Sequence, residues 1–245
     1  MPTADELFEA AVAADLAGRP DEAREKFDEL LARRRDELGP DHPHTLDAAH
    51  RLAGLVAELG DPDAALAMDR DTLARRSATL GPDHPNTLET ASNLAATLAQ
   101  LGDLRQAVGV LDDVLTRRRR ALGPDAQATL DSARSLVALG FAIGDEAQVA
   151  PLAHDTLERH RRTLGDDDPR TIDAAHQVGA VLRATGDVVS ARSVDAEVFA
   201  RASRVLGEQH PWTVRSGQAL AADAELLGDV STATAWRNWL TQRQG

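Results

Sequence analysis

The chain has 245 residues, 42% hydrophobic and 27% charged, the balance of a folded protein rather than a disordered one. Its formal net charge of −13 denies it the cationic footprint that non-specific binding to nucleic acid or an anionic membrane needs, so neither is expected as a partner. There is no Cys, hence no disulfide framework and no thiolate chemistry, and the 3% aromatic content beside abundant alanine favours packed helices over sheet.

The first segment, Met1–Phe8, carries acids in place of a basic stretch and an apolar run, so no signal peptide is expected. No stretch approaches the ~18–20 apolar residues of a membrane span, and the expected location is the cytoplasm. Residues 1–37 read as a helix pair broken at Gly18. From Leu38 onward the chain repeats. LGPDHPHTL at Leu38 returns as LGPDHPNTL at Leu80, LGPDAQATL at Leu122, LGDDDPRTI at Leu164 and LGEQHPWTV at Leu206. The glycines of these turns stand at 39, 81, 123, 165 and 207, a period of 42 residues. A second series, Gly18, Gly60, Gly102, Gly144, Gly186 and Gly228, keeps the same period, and all but the first precede Asp. Two marks with one spacing define six units, about 1–37, 38–79, 80–121, 122–163, 164–205 and 206–245, read as one domain.

Between the marks the pattern is helical. In 80–121, Leu88, Ala91, Leu94, Ala95 and Leu98 form one apolar stripe at steps of three and four. Leu101-Gly102-Asp103 ends that helix and offers Asp103 as the cap of the next, which presents Leu104, Ala107, Leu111, Val114 and Leu115. Arg117–Arg120 crowd its last turn, where cations suit the helix dipole. Each unit is therefore helix A, a Gly-Asp turn, helix B and a Gly-Pro loop.

The unit 122–163 departs from the others. Gly140 stands where Val56, Leu98 and Leu182 occupy the same column, Pro151 falls inside helix B, where it is expected to kink the helix or delay its start, and Ala126-Gln127 replaces His-Pro. Two readings follow: decay of the repeat compensated by Phe141, or a pocket or hinge near Gly140 and Phe141. Trp212, Trp236 and Trp239 gather late in the chain. Trp236 and Trp239 are expected to cover the open end of the core, with dimerisation or ligand contact as the other reading. Trp212 holds a loop slot that invites exposure and partner contact.

Asn93-Leu94-Ala95, Leu98, Gly102-Asp103 and Ala107 carry the small-and-large pattern that resembles the tetratricopeptide repeat. The LGPDHPNT extension is similar to the 42-residue version of kinesin light chains and many bacterial proteins. Asp71–Arg76 and Asp155–His160 look most like actinobacterial members, often attached to NB-ARC-type signalling ATPases. No ATPase phosphate loop is expected within this sequence, since Lys26 is followed by Phe27 rather than Ser or Thr. The resemblance implies an all-α fold, a right-handed superhelical solenoid of six antiparallel helix pairs. It further implies that the A helices line a ligand groove. The 42-residue columns then place Asp47, Glu89, Asp131, Asp173 and Arg215 in one row, and Arg51, Asn93, Ser135, Gln177 and Ala219 one turn on. Asn93 matches the family asparagine that often clamps peptide backbone. The acidic row favours a basic protein or peptide partner, while the plain reading is of solvated helix positions, with Asp47 and Arg51 pairing locally.

No HExxH, GxSxG or EF-hand pattern occurs, and no cofactor, metal or catalytic residue is expected. His42, His44 and His84 read as turn residues rather than metal ligands. Asp69 and Asp195 fall on apolar columns of B helices and are expected to be partly buried and bonded to a neighbouring A helix. The leading function is a protein- or peptide-binding scaffold; the alternative is a small-molecule sensor or pathway enzyme near Gly140 and Phe141. A homodimer through the C-terminal end is a further expectation.

Overall fold

The computed structural model describes residues 2–243. These contain twelve α-helices: α1 (Ala4–Leu16), α2 (Pro20–Leu38), α3 (Pro43–Glu58), α4 (Pro62–Thr79), α5 (Pro85–Gln100), α6 (Leu104–Leu122), α7 (Gln127–Ala142), α8 (Glu146–Leu164), α9 (Pro169–Ala184), α10 (Val188–Leu206), α11 (Pro211–Leu226) and α12 (Val230–Thr241). No strand occurs among the described residues. Odd-numbered helices are the A helices of the sequence pattern and even-numbered ones the B helices.

The A–B turns explain the Gly-Asp series. At the first of them the Asp61 N–H donates to Val56 O and the Gly60 N–H to Ala57 O, the paired bonds that close a helix on a left-handed residue. Gly60 has φ +89°, a conformation open to glycine at little cost. Asp61 then starts the next helix, its side chain accepting from the Ala64 N–H at 3.1 Å. Asp187 and Asp229 do the same for α10 and α12.

The B–A loops explain the His-Pro-x-Thr signature. Gly39 lies at φ 89° and ψ 163°, a region essentially restricted to glycine. Thr45 Oγ1 donates back to Gly39 O at 2.9 Å and so closes the loop. His42 is the N-cap of α3, its Nδ1 accepting from the His44 N–H, and Pro43 occupies the first helical position, where no N–H is missed. His84 and His210 repeat the cap, and Asp168 performs it in Asp166-Asp167-Asp168. These histidines thus hold helix starts, and no group of three or more potential metal ligands converges among the described residues.

The chain falls into two compact units, residues 1–121 and 122–245. In the first, α2 packs on α1 and α3, and α4 on α3 and α5, around Leu7, Ala11, Phe27, Leu30, Leu52 and Val56. In the second, α8 packs on α7 and α9, and α10 on α9 and α11, around Val137, Leu157, Ile172, Val178 and Val198. Burial of these side chains, each worth roughly 1.5–3 kcal/mol, is the main force holding the helix pairs together. The arginines of the B helices do more than suit a dipole. Asp41, Asp83 and Asp125, the acids of the GPD turns, pair with Arg75, Arg117 and Arg159, each 34 residues on, and so tie every loop to the next B helix.

Pro151 neither delays nor breaks α8, which begins on register at Glu146 and carries the proline in its second turn. The space left by Gly140 is taken by Val149 of α8, whose side chain presses against the glycine, while Phe141 turns outward and is 42% exposed. The residue that fills this place is thus Val149 rather than Phe141.

Candidate functional site

In the first unit α1, α3 and α5 form one face, and a cavity of about 590 Å³ opens on it. Its floor comes from the B helices. Arg34 stands just before the last turn of α2 and Arg76 in the last turn of α4, only 6% and 1% exposed. Each is long enough to pass between two A helices and meet the first-turn carbonyls of the next one. Arg34 Nη1 donates to His44 O at 2.8 Å, and Arg76 Nη1 donates to Asn86 O and to Thr90 Oγ1, both at 2.8 Å. Arg76 Nη2 reaches Asp47 Oδ1 at 2.5 Å. Burial lowers the affinity of Arg76 for its proton, while Asp47 and Glu89 oppose that, and a guanidinium stays charged throughout.

The walls are mixed. Phe8 of α1 lies between two guanidinium groups, with the central carbons of Arg34 and Arg51 each 5.4 Å from its ring centre. Asn93 Nδ2 is 3.4 Å from His50 Nδ1, and Glu89 Oε1 is 4.0 Å from His50 Nε2. Burial, and next the charge of Arg76, hold His50 below the ordinary histidine value, so at neutral pH it is an uncharged donor and acceptor. Three cations, Arg34, Arg51 and Arg76, thus meet three carboxylates, Asp5, Asp47 and Glu89; Arg34 and Arg76 are buried, while Arg51 is exposed like Asp5 and Glu89.

The structure sorts the sequence-predicted row. It gathers Asp47, Arg51 and Glu89 around this cavity, with Asn93 touching His50 behind it. The pairing of Asp47 is with buried Arg76, not with Arg51 four residues away. In the second unit Asp131 accepts from Gln127 Nε2 at 3.0 Å and Asp173 from Arg134 at 3.0 Å. Ser135 and Gln177 are half-buried on α7 and α9, and Arg215 is exposed on α11. Two of the four carboxylates of the row, Asp47 and Asp173, are thus paired with an arginine, and Glu89 is its most open carboxylate, 60% exposed. Arg34, His50 and Arg76 escaped the sequence reading, although the 42-residue column Arg34, Arg76, Arg118, His160, Ala202 was there to be followed.

Trp212 is half-buried against the core of the second unit, its ring edge-on to His210 at 5.7 Å, rather than standing free in its loop. Trp236 and Trp239 form a three-ring cluster with Phe199 at centroid separations of 4.7 and 5.0 Å. Arg243 stacks on the outer side of Trp239, 4.1 Å from its centre.

Two sequence models of the tetratricopeptide repeat match the chain, one over residues 6–78 and 58–120 and the other over 171–211. This chain is a tetratricopeptide-repeat protein. Solved structures agree on the fold of this repeat protein. The nearly identical repeats of a candidate kinesin light chain from P. anserina superpose with a TM-score of 0.73 at 22% identity, covering 83% of this chain and 98% of that one. BtubC (BKLC) from P. vanneervenii gives 0.73 at 16% identity over 97% of this chain and 91% of that one. PilF of Pseudomonas aeruginosa gives 0.67 at 17% identity over 98% and 90%. No curated protein matches the sequence. The repeat fold is one that mediates protein–protein interaction, and no described helix is long and apolar enough to cross a membrane.

Proposed function

We propose that this repeat protein is a binding module whose first unit holds an extended protein or peptide segment along α1, α3 and α5. One observation carries the reading: four predicted groove residues, Asp47, Arg51, Glu89 and Asn93, surround or adjoin a single cavity floored by buried Arg34 and Arg76. A floor held by first-turn carbonyls and neighbouring side chains is rigid, so a ligand would lose little in ordering it. The neutral His50 and the Asn93 amide supply donors and acceptors suited to a peptide backbone. Glu89, open to solvent, is the residue that would favour a basic side chain, and Arg51 across the cavity would favour an acidic one. The resemblance of Asp71–Arg76 and Asp155–His160 to repeats attached to signalling ATPases suggests that the bound partner belongs to such a system.

The test is selection from a random displayed-peptide library by wild-type protein, Glu89→Lys and Arg51→Glu. The expected result is a shared peptide pattern for wild type, changed at different peptide positions by the two variants, with affinity falling as salt rises. Retention of the same peptides by both variants would remove this cavity as the binding site.

A further inference from the structure

The second unit contains a buried ionic cluster that neither its groove nor its core pattern accounts for. Asp195 of α10 and Asp223 of α11 both have completely buried side chains. Arg183 of α9 bridges them, Nη2 to Asp195 Oδ2 and Nε to Asp223 Oδ1 at 2.6 Å. Each carboxyl keeps a second oxygen, Asp195 Oδ1 and Asp223 Oδ2, with no hydrogen-bond partner among the described residues. Two carboxylates against one guanidinium leave an uncompensated negative charge on fully buried side chains, which is costly enough that a proton is the usual remedy.

The repeat itself supplies a comparison. Asp69 stands in the column of Asp195, and Thr97 in the column of Asp223, each pair 126 positions apart in the chain, three periods of 42. There Thr97 Oγ1 donates to Asp69 Oδ2 at 2.8 Å, a hydrogen atom aimed at a buried carboxyl. In the second unit the same place is taken by a carboxyl, which can donate only when protonated.

We propose that the second unit holds one proton between the carboxyl groups of Asp195 and Asp223, and that its loss loosens the junction of α9, α10 and α11. With that proton the cluster is neutral: one guanidinium, one carboxylate, one carboxylic acid. The groups facing it are Arg183 and His176 from α9 and Asp223 from α11, with Asp173 and Arg215 acting on His176 from the same two helices. His176 Nδ1, 3.8 Å from Asp195 Oδ1, does not take over the role of balancing cation. Its burial, and next the charge of Arg215, hold it below the ordinary histidine value and hence neutral. Burial first, and then the neighbouring Asp223 charge, push Asp195 up to about 7 against the pull of Arg183. The sign follows: a carboxyl raised above its unfolded value of 3.8 contributes stability that is complete below about pH 4 and is lost as pH rises through about 7. The unit is thus firmest on the acid side of neutrality.

The deciding experiment is a ¹³C NMR titration of the aspartate carboxyl carbons from pH 5 to 9 in wild type, His176→Gln and Asp223→Thr. The last variant puts a hydroxyl donor in place of the second carboxyl and leaves Asp195 paired with Arg183, so the cluster is neutral without a proton. One resonance of the buried pair in wild type should shift with a midpoint above pH 6. The midpoint should survive His176→Gln and disappear in Asp223→Thr. Amide exchange in α10, corrected for its intrinsic pH dependence, should quicken up to about tenfold between pH 6 and 9 in wild type and His176→Gln, but not in Asp223→Thr. Two carboxylates ionised across the whole range in wild type would overturn the proposal, whether or not either variant folds. So would a titration abolished by His176→Gln.

Discussion

Single residues decide several packing contacts, and the glycines show this most clearly because opposite outcomes are expected from the same substitution. A Cβ at Gly179 on α9 would lie 2.5 Å from Asp195 Oδ1, an oxygen of a buried carboxyl that Arg183 holds through Oδ2. Gly179→Ala is expected to cost about 1–3 kcal/mol, the usual range for overpacking a tight core. A Cβ at Gly109 on α6 meets nothing within 4 Å. Gly109→Ala is expected to gain about 0.5–1 kcal/mol through helix propensity. Urea denaturation of both variants checks the pair, and equal effects would show that space around the residue is not what separates them. The column comparison makes Gly179 intelligible. Its counterparts on the 42-residue period are Ala53, Ala95 and Val137, and the column that holds Asp195 on α10 holds Asp69, Leu111 and Ala153 in the matching repeats. Sequence alone marked Asp195 as odd but could not show that Gly179 makes room for it, because that is a contact between columns rather than within one.

At the scale of the element, the helix boundaries were the most legible part of the chain. Gly-Asp and Gly-Pro marks act through bonds within a few residues, so a period in the sequence becomes a period in the backbone. Pro151 does not delay the start of α8: the helix is held from outside by α7 and α9, and packing there outweighs a missing bond in the second turn. The groove was only half legible. Its A-helix rows could be placed by spacing, whereas its floor comes from B-helix arginines that cross between helices, a tertiary route that no local pattern states. Among the six described A helices, α7 is the one whose start has no side-chain cap. Ala126 has φ −65° and ψ 139°, nearly the same as His84 at −66° and 139° and Asp168 at −66° and 133°, yet it has no side chain to cap α7. Ala126→Asp places a cap on a backbone already shaped for it and is expected to add about 1 kcal/mol. In a chain of this size that corresponds to a rise of about 2–4 °C in Tm. Calorimetry showing no gain would mean that α7 starts are satisfied by other means.

For the whole molecule, pH sets two groups of carboxylates against each other. Asp125 and Asp167, hydrogen-bonded by Arg159 and Arg204, are held below the ordinary carboxylate value. Their contribution is present above the unfolded value of 3.8 and is lost as pH falls through their folded values. Buried Asp69 and Asp195 are raised to about 6 and about 7, chiefly by burial, and their contribution is lost as pH rises through those values. The formal charge of −13 at pH 7 acts in the same direction, since self-repulsion shrinks toward the sequence pI of about 5.0. Thermal stability is therefore expected to peak near pH 5 rather than at neutrality. Asp69→Leu separates burial from net charge, because Leu111 fills the same column in the following repeat and the variant sheds a buried ionisable group while changing the total charge by only one. At pH 8 the gain is expected to be on the order of 2 kcal/mol, the shift of Asp69 discounted for solvent screening. Below pH 4, where the carboxyl is protonated in both states, the gain should shrink to the difference in packing alone. A gain of equal size at both pH values would show that the introduced leucine improves packing and that the ionisation of Asp69 does not limit stability.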